Sequence, residues 1–146
     1  AFVNRGAAYN GLEQFNHAIA DFSRAIELRP AYAEAYLNRG AAYNNLGKHR
    51  LAIDDLNKGI AIKPGYAEAY FSRAVAQNAR RRYREAIEDF TRAIALKPAY
   101  TEAYFQRGVL SFQQGDIDSG CRDAQNVCRL GNCDLLQVAQ SNGYCR

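Results

Sequence analysis

The feature that most constrains the fold of this 146-residue chain is a period of 34 residues, marked by Pro30, Pro64 and Pro98. Each proline closes a similar segment in which apolar residues recur at helical spacing. A fixed period between about 20 and 50 residues is typical of a stacked array, in which each unit buries its apolar face against the next. Such an array presents an extended surface rather than a deep catalytic pocket.

One period, taken over residues 33–66, predicts two antiparallel helices joined by a short turn. Tyr36 and Tyr43 lie seven residues apart, which places them on one face of a first helix. Residues 45–48 form a polar, glycine-containing segment typical of a turn. A second apolar stripe follows over residues 52–62, and the proline after it ends the helix because proline disfavours a helical conformation in the preceding residue.

The repeated unit resembles the tetratricopeptide repeat, in a bacterial-type protein. An aromatic residue, a Gly, a Tyr, an Ala with a large residue four positions later, and a final Pro recur up to about residue 130. This resemblance implies an all-α superhelical solenoid of antiparallel helix pairs, with first helices lining a concave groove and a protein- or peptide-binding role. The predicted units are 1–30 (a repeat truncated at its start), 31–64, 65–98, 99–131 (a degenerate repeat) and 132–146 (a disulfide-stapled capping helix and tail).

Composition and charge argue against nucleic-acid and membrane-spanning classes. The formal net charge is only +4, because 15 acidic residues are interspersed with 19 basic ones, and this gives little support for a nucleic-acid partner. No apolar run approaches the length of a membrane span. Phe2 aligns with Tyr36, so the sequence starts inside a repeat and we expect a processed or shortened product.

The sequence contains no arrangement of residues that indicates catalysis, a cofactor or a metal. It has no glycine-rich phosphate loop, no paired catalytic carboxylates and no nucleophile elbow. His17 and His49 have no partner at a spacing suited to a metal or a triad. We therefore expect a non-catalytic interaction scaffold without a cofactor. A self-assembling scaffold and an accessory repeat domain of a larger enzyme are the alternatives.

The resemblance implies that variable positions of the first helices line the groove, and Asn recurs at two of them. A row of primary amides can bond the backbone of an extended peptide without recognising its side chains. An apolar stripe lies beside the amides. In the alternative interpretation the Asn residues fill polar helix positions and the stripe is partly buried packing. The predicted groove residues, for a peptide segment or partner protein, are Asn4, Asn10, Leu37, Asn38, Asn44, Phe71, Asn78, Phe105 and Phe112.

Arginine stands where the tetratricopeptide family prefers leucine, and an aspartate follows sixteen residues later. This spacing predicts structural ion pairs between Arg39 and Asp55 and between Arg73 and Asp89, because a buried-facing guanidinium needs a hydrogen-bonded carboxylate. Pairing with a neighbouring repeat and an anion-binding row of arginines are the alternatives. The same spacing relates the outer residues Arg5, Asp21, Arg107 and Asp123.

All four cysteines lie in the last 26 residues. Their even count and the lack of a C-x-x-C pair favour two disulfides over free thiols or zinc. Disulfides favour an exported location, periplasmic or extracellular, with the cytoplasm as the alternative. Cys121 and Cys128 would lie about 10 Å apart along one helix, too far for a bridge. A reversal after that helix then predicts the pairs Cys128–Cys133 and Cys121–Cys145.

A basic run, formed by Arg80, Arg81, Arg82 and Arg84, falls at one predicted hairpin turn. Such a run could bind phosphate or an acidic partner. A solvated loop is the other interpretation.

Overall fold

The computed structural model describes Gly6 and residues 14–146, and residues 14–146 form eight consecutive helices with no strand. This confirms the predicted all-α class. The helices are α1 (Phe15–Leu28), α2 (Ala33–Asn45), α3 (His49–Ile62), α4 (Ala67–Ala79), α5 (Tyr83–Leu96), α6 (Thr101–Gln113), α7 (Ile117–Arg129) and α8 (Asp134–Ser141).

The helices pack as hairpins that stack in chain order. Helix α2 packs on α3, α4 on α5, and α6 on α7, and the shorter α8 packs on α7. Successive hairpins contact each other through α3 and α4 and through α5 and α6, while the first helices α2 and α4 also meet directly. Helices α2 and α3 lie within the predicted unit 31–64, and α4 and α5 lie within 65–98. The chain is therefore a linear stack in which first helices lie side by side.

Small residues let the two helices of a hairpin approach closely. Ala52 and Ala86 are fully buried on the second helices. A Cβ atom on Gly40 of α2 would lie 2.8 Å from Cγ of Leu56, so a larger residue there would force a shift. Leu56 and Phe90 are also fully buried and fill the space beside the small residues. This packing fixes the distance between the helices of each hairpin.

The turns α2–α3, α4–α5 and α6–α7 each contain one residue in the left-handed region. Gly47 and Gly115 have φ angles of 74° and 82°. In the α2–α3 turn the Lys48 amide donates to the Tyr43 carbonyl at 2.8 Å, which satisfies the end of the helix. The residue at the same place in the α4–α5 turn is Arg81, with φ of 60°. A side chain in this conformation costs about 1–2 kcal/mol, a penalty that glycine avoids.

Candidate interaction surface

A strip of half-exposed side chains recurs on α2, α4 and α6, the first helices of the three hairpins that the structure describes in full. Its four positions are i, i+1, i+4 and i+7, which lie on one helical face. We name the twelve residues the groove strip. They are Leu37, Asn38, Ala41 and Asn44 on α2; Phe71, Ser72, Val75 and Asn78 on α4; and Phe105, Gln106, Val109 and Phe112 on α6.

Seven of the predicted groove residues belong to the groove strip, whereas Asn4 and Asn10 lie outside the described residues. Asn38, Asn78 and Phe105 are half-buried members of it. The structure thus brings the predicted amides and apolar side chains onto one surface.

Asn44 connects the strips of two adjacent first helices. Its Nδ2 donates to the backbone carbonyl of Ser72 on α4 at 2.8 Å, and its Oδ1 lies 3.2 Å from Nδ1 of His49. The groove strip is therefore continuous from α2 to α4. The prediction treated Asn44 as an amide available to a peptide, but its amide already bonds within the fold. The short side chain at the end of α2 reaches the neighbouring helix because the two first helices pack side by side.

The apolar members Leu37 and Phe71 are partly used for packing inside the stack. The Leu37 side chain contacts Gly59 of α3 so closely that a Cβ there would overlap it. The Phe71 ring centroid lies 5.1 Å from that of Tyr100 and 5.6 Å from that of Phe90. Burial raises the pKa of Tyr100 to about 12, because the ionised phenolate would be poorly solvated in this packed position. This agrees with the packing interpretation, although both residues remain half-exposed.

Phe112 ends the groove strip and is covered by the tail. Its ring stacks on Tyr144 with centroids 5.8 Å apart and an interplanar angle of 23°. On its other side it packs against Gly120, where a Cβ would lie 2.6 Å from Cδ1 of the ring. No signal in the sequence pointed to Tyr144, because the tail lies outside the repeated pattern.

Three arginines of the first helices bind aspartates of the second helices through two parallel hydrogen bonds. Arg39 Nε and Nη2 donate to the Asp55 carboxylate at 2.6 and 2.7 Å. Arg73 donates in the same way to Asp89 at 2.7 and 2.8 Å, and Arg107 to Asp123 at 2.8 and 2.7 Å. Each pair lies within one hairpin. The hydrogen bonds to aspartate raise the pKa of each arginine.

A third contact of each arginine joins neighbouring repeats. Nη1 of Arg39 donates to the Ser23 hydroxyl at 3.0 Å, and Nη1 of Arg107 donates to Thr91 at 2.9 Å. The Ser23 and Thr91 hydroxyls themselves donate to the carbonyl four residues earlier, which leaves their lone pairs facing the guanidinium. Asn57 Oδ1 takes the same place for Arg73, at 2.9 Å. These partners were not predicted, although Ser23, Asn57 and Thr91 recur at intervals of 34 residues in the sequence.

The three guanidinium groups are therefore engaged on two sides inside the stack. Their side chains are about one-fifth exposed, between 18 and 22%. An arginine whose nitrogens already bind a carboxylate and a third side chain is poorly placed to capture a free anion. The geometry favours the structural interpretation of these residues.

Two disulfides attach the capping helix and tail to α7. Cys121 bonds to Cys145 and Cys128 bonds to Cys133, with Cα–Cα distances of 5.6 and 4.0 Å. Leu135 of α8 is buried and lies 3.2 Å from the position of a Cβ on Gly108. The stapled segment thus packs on α7 and reaches α6, on the side of the last hairpin where a further repeat would stack.

Within residues 14–146, no helix is both long and apolar enough to cross a membrane. The same residues, together with Gly6, contain no group of three or more His, Cys, Asp or Glu side chains arranged to hold a metal ion.

Sequence profiles of the tetratricopeptide repeat match most of the stack. One matches residues 33–66 and 67–100, and another, described as a TPR repeat, matches residues 6–47. The chain belongs to the tetratricopeptide repeat family. No curated protein sequence is significantly similar to it.

Solved tetratricopeptide structures share its fold. MamA is 25% identical, with a TM-score of 0.80, over 86% of this chain and 74% of MamA. The Arabidopsis OM64 TPR domain is 32% identical, with a TM-score of 0.73, over 75% of this chain and 90% of that domain. The first TPR of Spaghetti (RPAP3), bound to the HSP90 peptide SRMEEVD, is 26% identical, with a TM-score of 0.76, over 78% and 90% of the two chains.

The tetratricopeptide fold is generally a non-catalytic protein-interaction fold, and this chain has the architecture of such a scaffold. Its described surface offers the groove strip as the extended candidate contact face.

Proposed function

We propose that this chain binds an extended or helical peptide segment of a partner protein along the groove strip, without catalysis. The observation that carries the proposal is the recurrence of half-exposed side chains at the same four positions of α2, α4 and α6. A peptide lying across parallel first helices meets a similar set of groups at each helix. We also propose the units 1–30, 31–64, 65–98, 99–131 and 132–146 as the organisation of the chain.

The chemistry of the groove strip suits a peptide main chain flanked by apolar side chains. Asn38 and Asn78 each offer two donors and one acceptor oxygen, which can pair with backbone N–H and C=O groups. Phe71 and Phe105 provide half-exposed aromatic faces beside these amides. Because Phe71 stacks on Tyr100, its ring is already ordered before a ligand arrives, which lowers the entropic cost of binding.

Asn44 has a different part in this proposal. Its amide holds the Ser72 carbonyl, so its contribution is to keep α2 and α4 in register. The bound HSP90 peptide of the Spaghetti TPR domain supports peptide binding by this fold. The groove strip itself contains no charged residue. We therefore do not infer that this chain binds the acidic HSP90 peptide.

The test selects binders from a random peptide library displayed on phage and measures their affinity by fluorescence anisotropy. Asn78→Ala and Phe105→Ala should each weaken binding at least about fivefold, the effect of removing a hydrogen bond or an aromatic contact of about 1 kcal/mol. Gln125→Ala, an exposed change on the second helix α7, is the matched control and should leave the affinity unchanged.

Equal affinities for the wild-type chain and both groove variants would contradict the proposal. Light scattering over a concentration series separates it from the self-assembling alternative. If the chain self-assembles through the groove strip, the same two variants would be monomeric at concentrations where the wild-type chain assembles.

A further inference from the structure

A patch of exposed cations spans two neighbouring hairpin turns, at the ends of the helices rather than on the groove strip. We name it the basic turn patch. It is bordered by few acids, since Asp54, Glu85 and Glu88 are the exposed carboxylates in the first two turns of α3 and α5. Its members are Lys48 in the α2–α3 turn, Arg50 in the first turn of α3, Arg80, Arg81 and Arg82 in the α4–α5 turn, and Arg84 in the first turn of α5.

The α4–α5 turn carries its charge at a cost to local stability. Arg81 adopts φ of 60°, at the place where the adjacent turns have Gly47 and Gly115. Arg82 precedes α5 as an N-cap without a side-chain hydrogen bond, whereas Asp116 at the same place before α7 accepts the Ser119 amide at 3.1 Å.

The first turn of α5 adds a further unfavourable charge. Arg84 lies there and is 94% exposed, and a cation near a helix N-terminus opposes the helix dipole. Side chains that weaken their own turn in three ways are expected where charge has a function other than folding.

The cations of the patch are mostly free to meet a ligand. Arg82 and Arg84 form long ion pairs with Glu85 and Glu88, at 3.8 and 3.7 Å, and exposed pairs of this kind contribute little. Arg80 and Arg81 form no ion pair within residues 14–146. The patch therefore presents a net positive surface of six cations against three carboxylates.

We infer that the basic turn patch docks an acidic, Asp- or Glu-rich segment of a protein partner. Charge complementarity selects the sign of that partner. The limited extent of the patch favours a short protein segment as the partner. On the next hairpin, exposed Asp116 and Asp118 occupy the positions of Arg82 and Arg84. A long nucleic-acid backbone running along the turns would meet these carboxylates, whereas a short acidic segment fits the two basic turns.

The inference is independent of the proposed groove, since the patch lies at the turns. It can hold even where no peptide binds the groove strip, and the groove can act without the patch.

The test uses a fluorescein-labelled Glu-rich octapeptide as the probe, with a Gln-for-Glu version as the neutral control. Two variants of the chain are compared with wild type by anisotropy at several salt concentrations. They are Arg81→Gly and the triple change Arg80→Ser, Arg81→Gly and Arg82→Ser. Arg129→Gln removes an exposed cation at the opposite end of a hairpin and is the matched control variant.

We expect Arg81→Gly to weaken the Glu-rich probe about two- to fivefold, the range for one exposed ion pair, and the triple variant to weaken it at least about tenfold. Both variants should melt at a higher temperature than wild type, because glycine relieves the left-handed residue. In the triple variant, Arg82→Ser also supplies a hydroxyl that can cap the start of α5. A loss of affinity together with a gain in stability cannot come from unfolding.

The inference is overturned if the neutral peptide binds as well as the Glu-rich one, or if Arg129→Gln weakens the probe as much as the triple variant. Tighter binding of a single-stranded DNA oligonucleotide of equal charge, lost in the triple variant, would replace it with a nucleic-acid site.

Discussion

The interior of the stack and its carboxyl end differ in the side chain that contacts the next element along the stack. Asn44 on α2 and Phe112 on α6 occupy the same position of the repeat. Asn44 donates to the Ser72 carbonyl of the following first helix, whereas Phe112 stacks on Tyr144 of the tail. A full helix offers backbone carbonyls to an amide, while a short irregular tail offers an aromatic ring. The side chains of Asn44 and Phe112 thus each match the element that packs after them.

The residue that packs against this position, on the second helix of the same hairpin, also differs between the interior and the end. The second helices of the interior repeats place a buried alanine there, Ala52 or Ala86, and α7 places Gly120. Glycine makes room for the Phe112 ring, which would otherwise lie 2.6 Å from an added Cβ. Between interior repeats the contacts include hydrogen bonds from arginine and asparagine side chains and one stacked ring pair. The carboxyl end combines a stacked ring pair with two disulfides.

The largest expected effect comes from cutting the covalent links at the end. Replacing Cys121 and Cys145 by Ala opens a loop of 24 residues and should lower the free energy of unfolding by about 3.5 kcal/mol, because the unfolded chain regains entropy. Replacing Cys128 and Cys133 by Ala opens a shorter loop, in which the two residues are 5 apart in the sequence. This should lower the free energy of unfolding by about 2 kcal/mol. Urea denaturation of both variants measures the difference.

The control for this first prediction is the far-ultraviolet circular dichroism of the wild-type protein, recorded with and without reductant. Equal losses for the two disulfides would mean that loop length does not govern their effect and that the tail is held by other contacts.

The interior should respond nearly as strongly to loss of an ion pair. Asp89→Ala leaves the guanidinium of Arg73 without its carboxylate, at an expected cost of about 3 kcal/mol, since Asp89 is nearly buried. A double-mutant cycle with Arg73→Ala should give a coupling of about 2 kcal/mol. The exposed pair Arg84–Glu88 is the matched control, and its coupling should stay below about 0.5 kcal/mol. Additive costs for Arg73 and Asp89 would show that the pair does not stabilise the repeat.

A smaller effect is expected when the residue pair of the carboxyl end, Phe112 with Gly120, is changed to the interior pair of Asn with Ala. Gly120→Ala should destabilise the protein by about 2 kcal/mol, because the new methyl group overlaps the Phe112 ring. In a Phe112→Asn background, which restores the interior combination of Asn with Ala, the same change should cost less than about 0.5 kcal/mol. An equal cost in both backgrounds would locate the strain elsewhere in α7.

The smallest effect separates two asparagines that the sequence treats as equivalent. Asn44→Ala removes the hydrogen bond to Ser72 and should cost about 1 kcal/mol. Asn78→Ala should be within about 0.5 kcal/mol of wild type, because its amide makes no hydrogen bond with another residue in the described part of the chain. Thermal unfolding of both variants decides the matter, and equal shifts would contradict the distinction.

The local pattern of the chain predicted its helices and the places where they end. The sixteen-residue spacing of Arg39 and Asp55 was sufficient to suggest their contact, because both hairpin helices have fixed lengths. The partner of Asn44 depends on the distance between neighbouring first helices, which no single repeat encodes. Aligning Arg81 with Gly47 and Gly115 would have revealed the left-handed residue, whereas Tyr144 has no counterpart in any repeat.

Peptide binding along the groove strip is tested most directly by two-dimensional ¹H–¹⁵N NMR, which follows the asparagine side-chain amide signals while a phage-selected peptide is added. If the peptide binds along the groove strip, the Nδ2 signals of Asn38 and Asn78 will shift and saturate at one equivalent of peptide. The Nδ2 signal of Asn126, on the second helix α7, should stay in place. Shifts at Asn126 or Asn57 with none at Asn38 and Asn78 would show that the partner binds the second helices, and would contradict peptide binding along the groove strip.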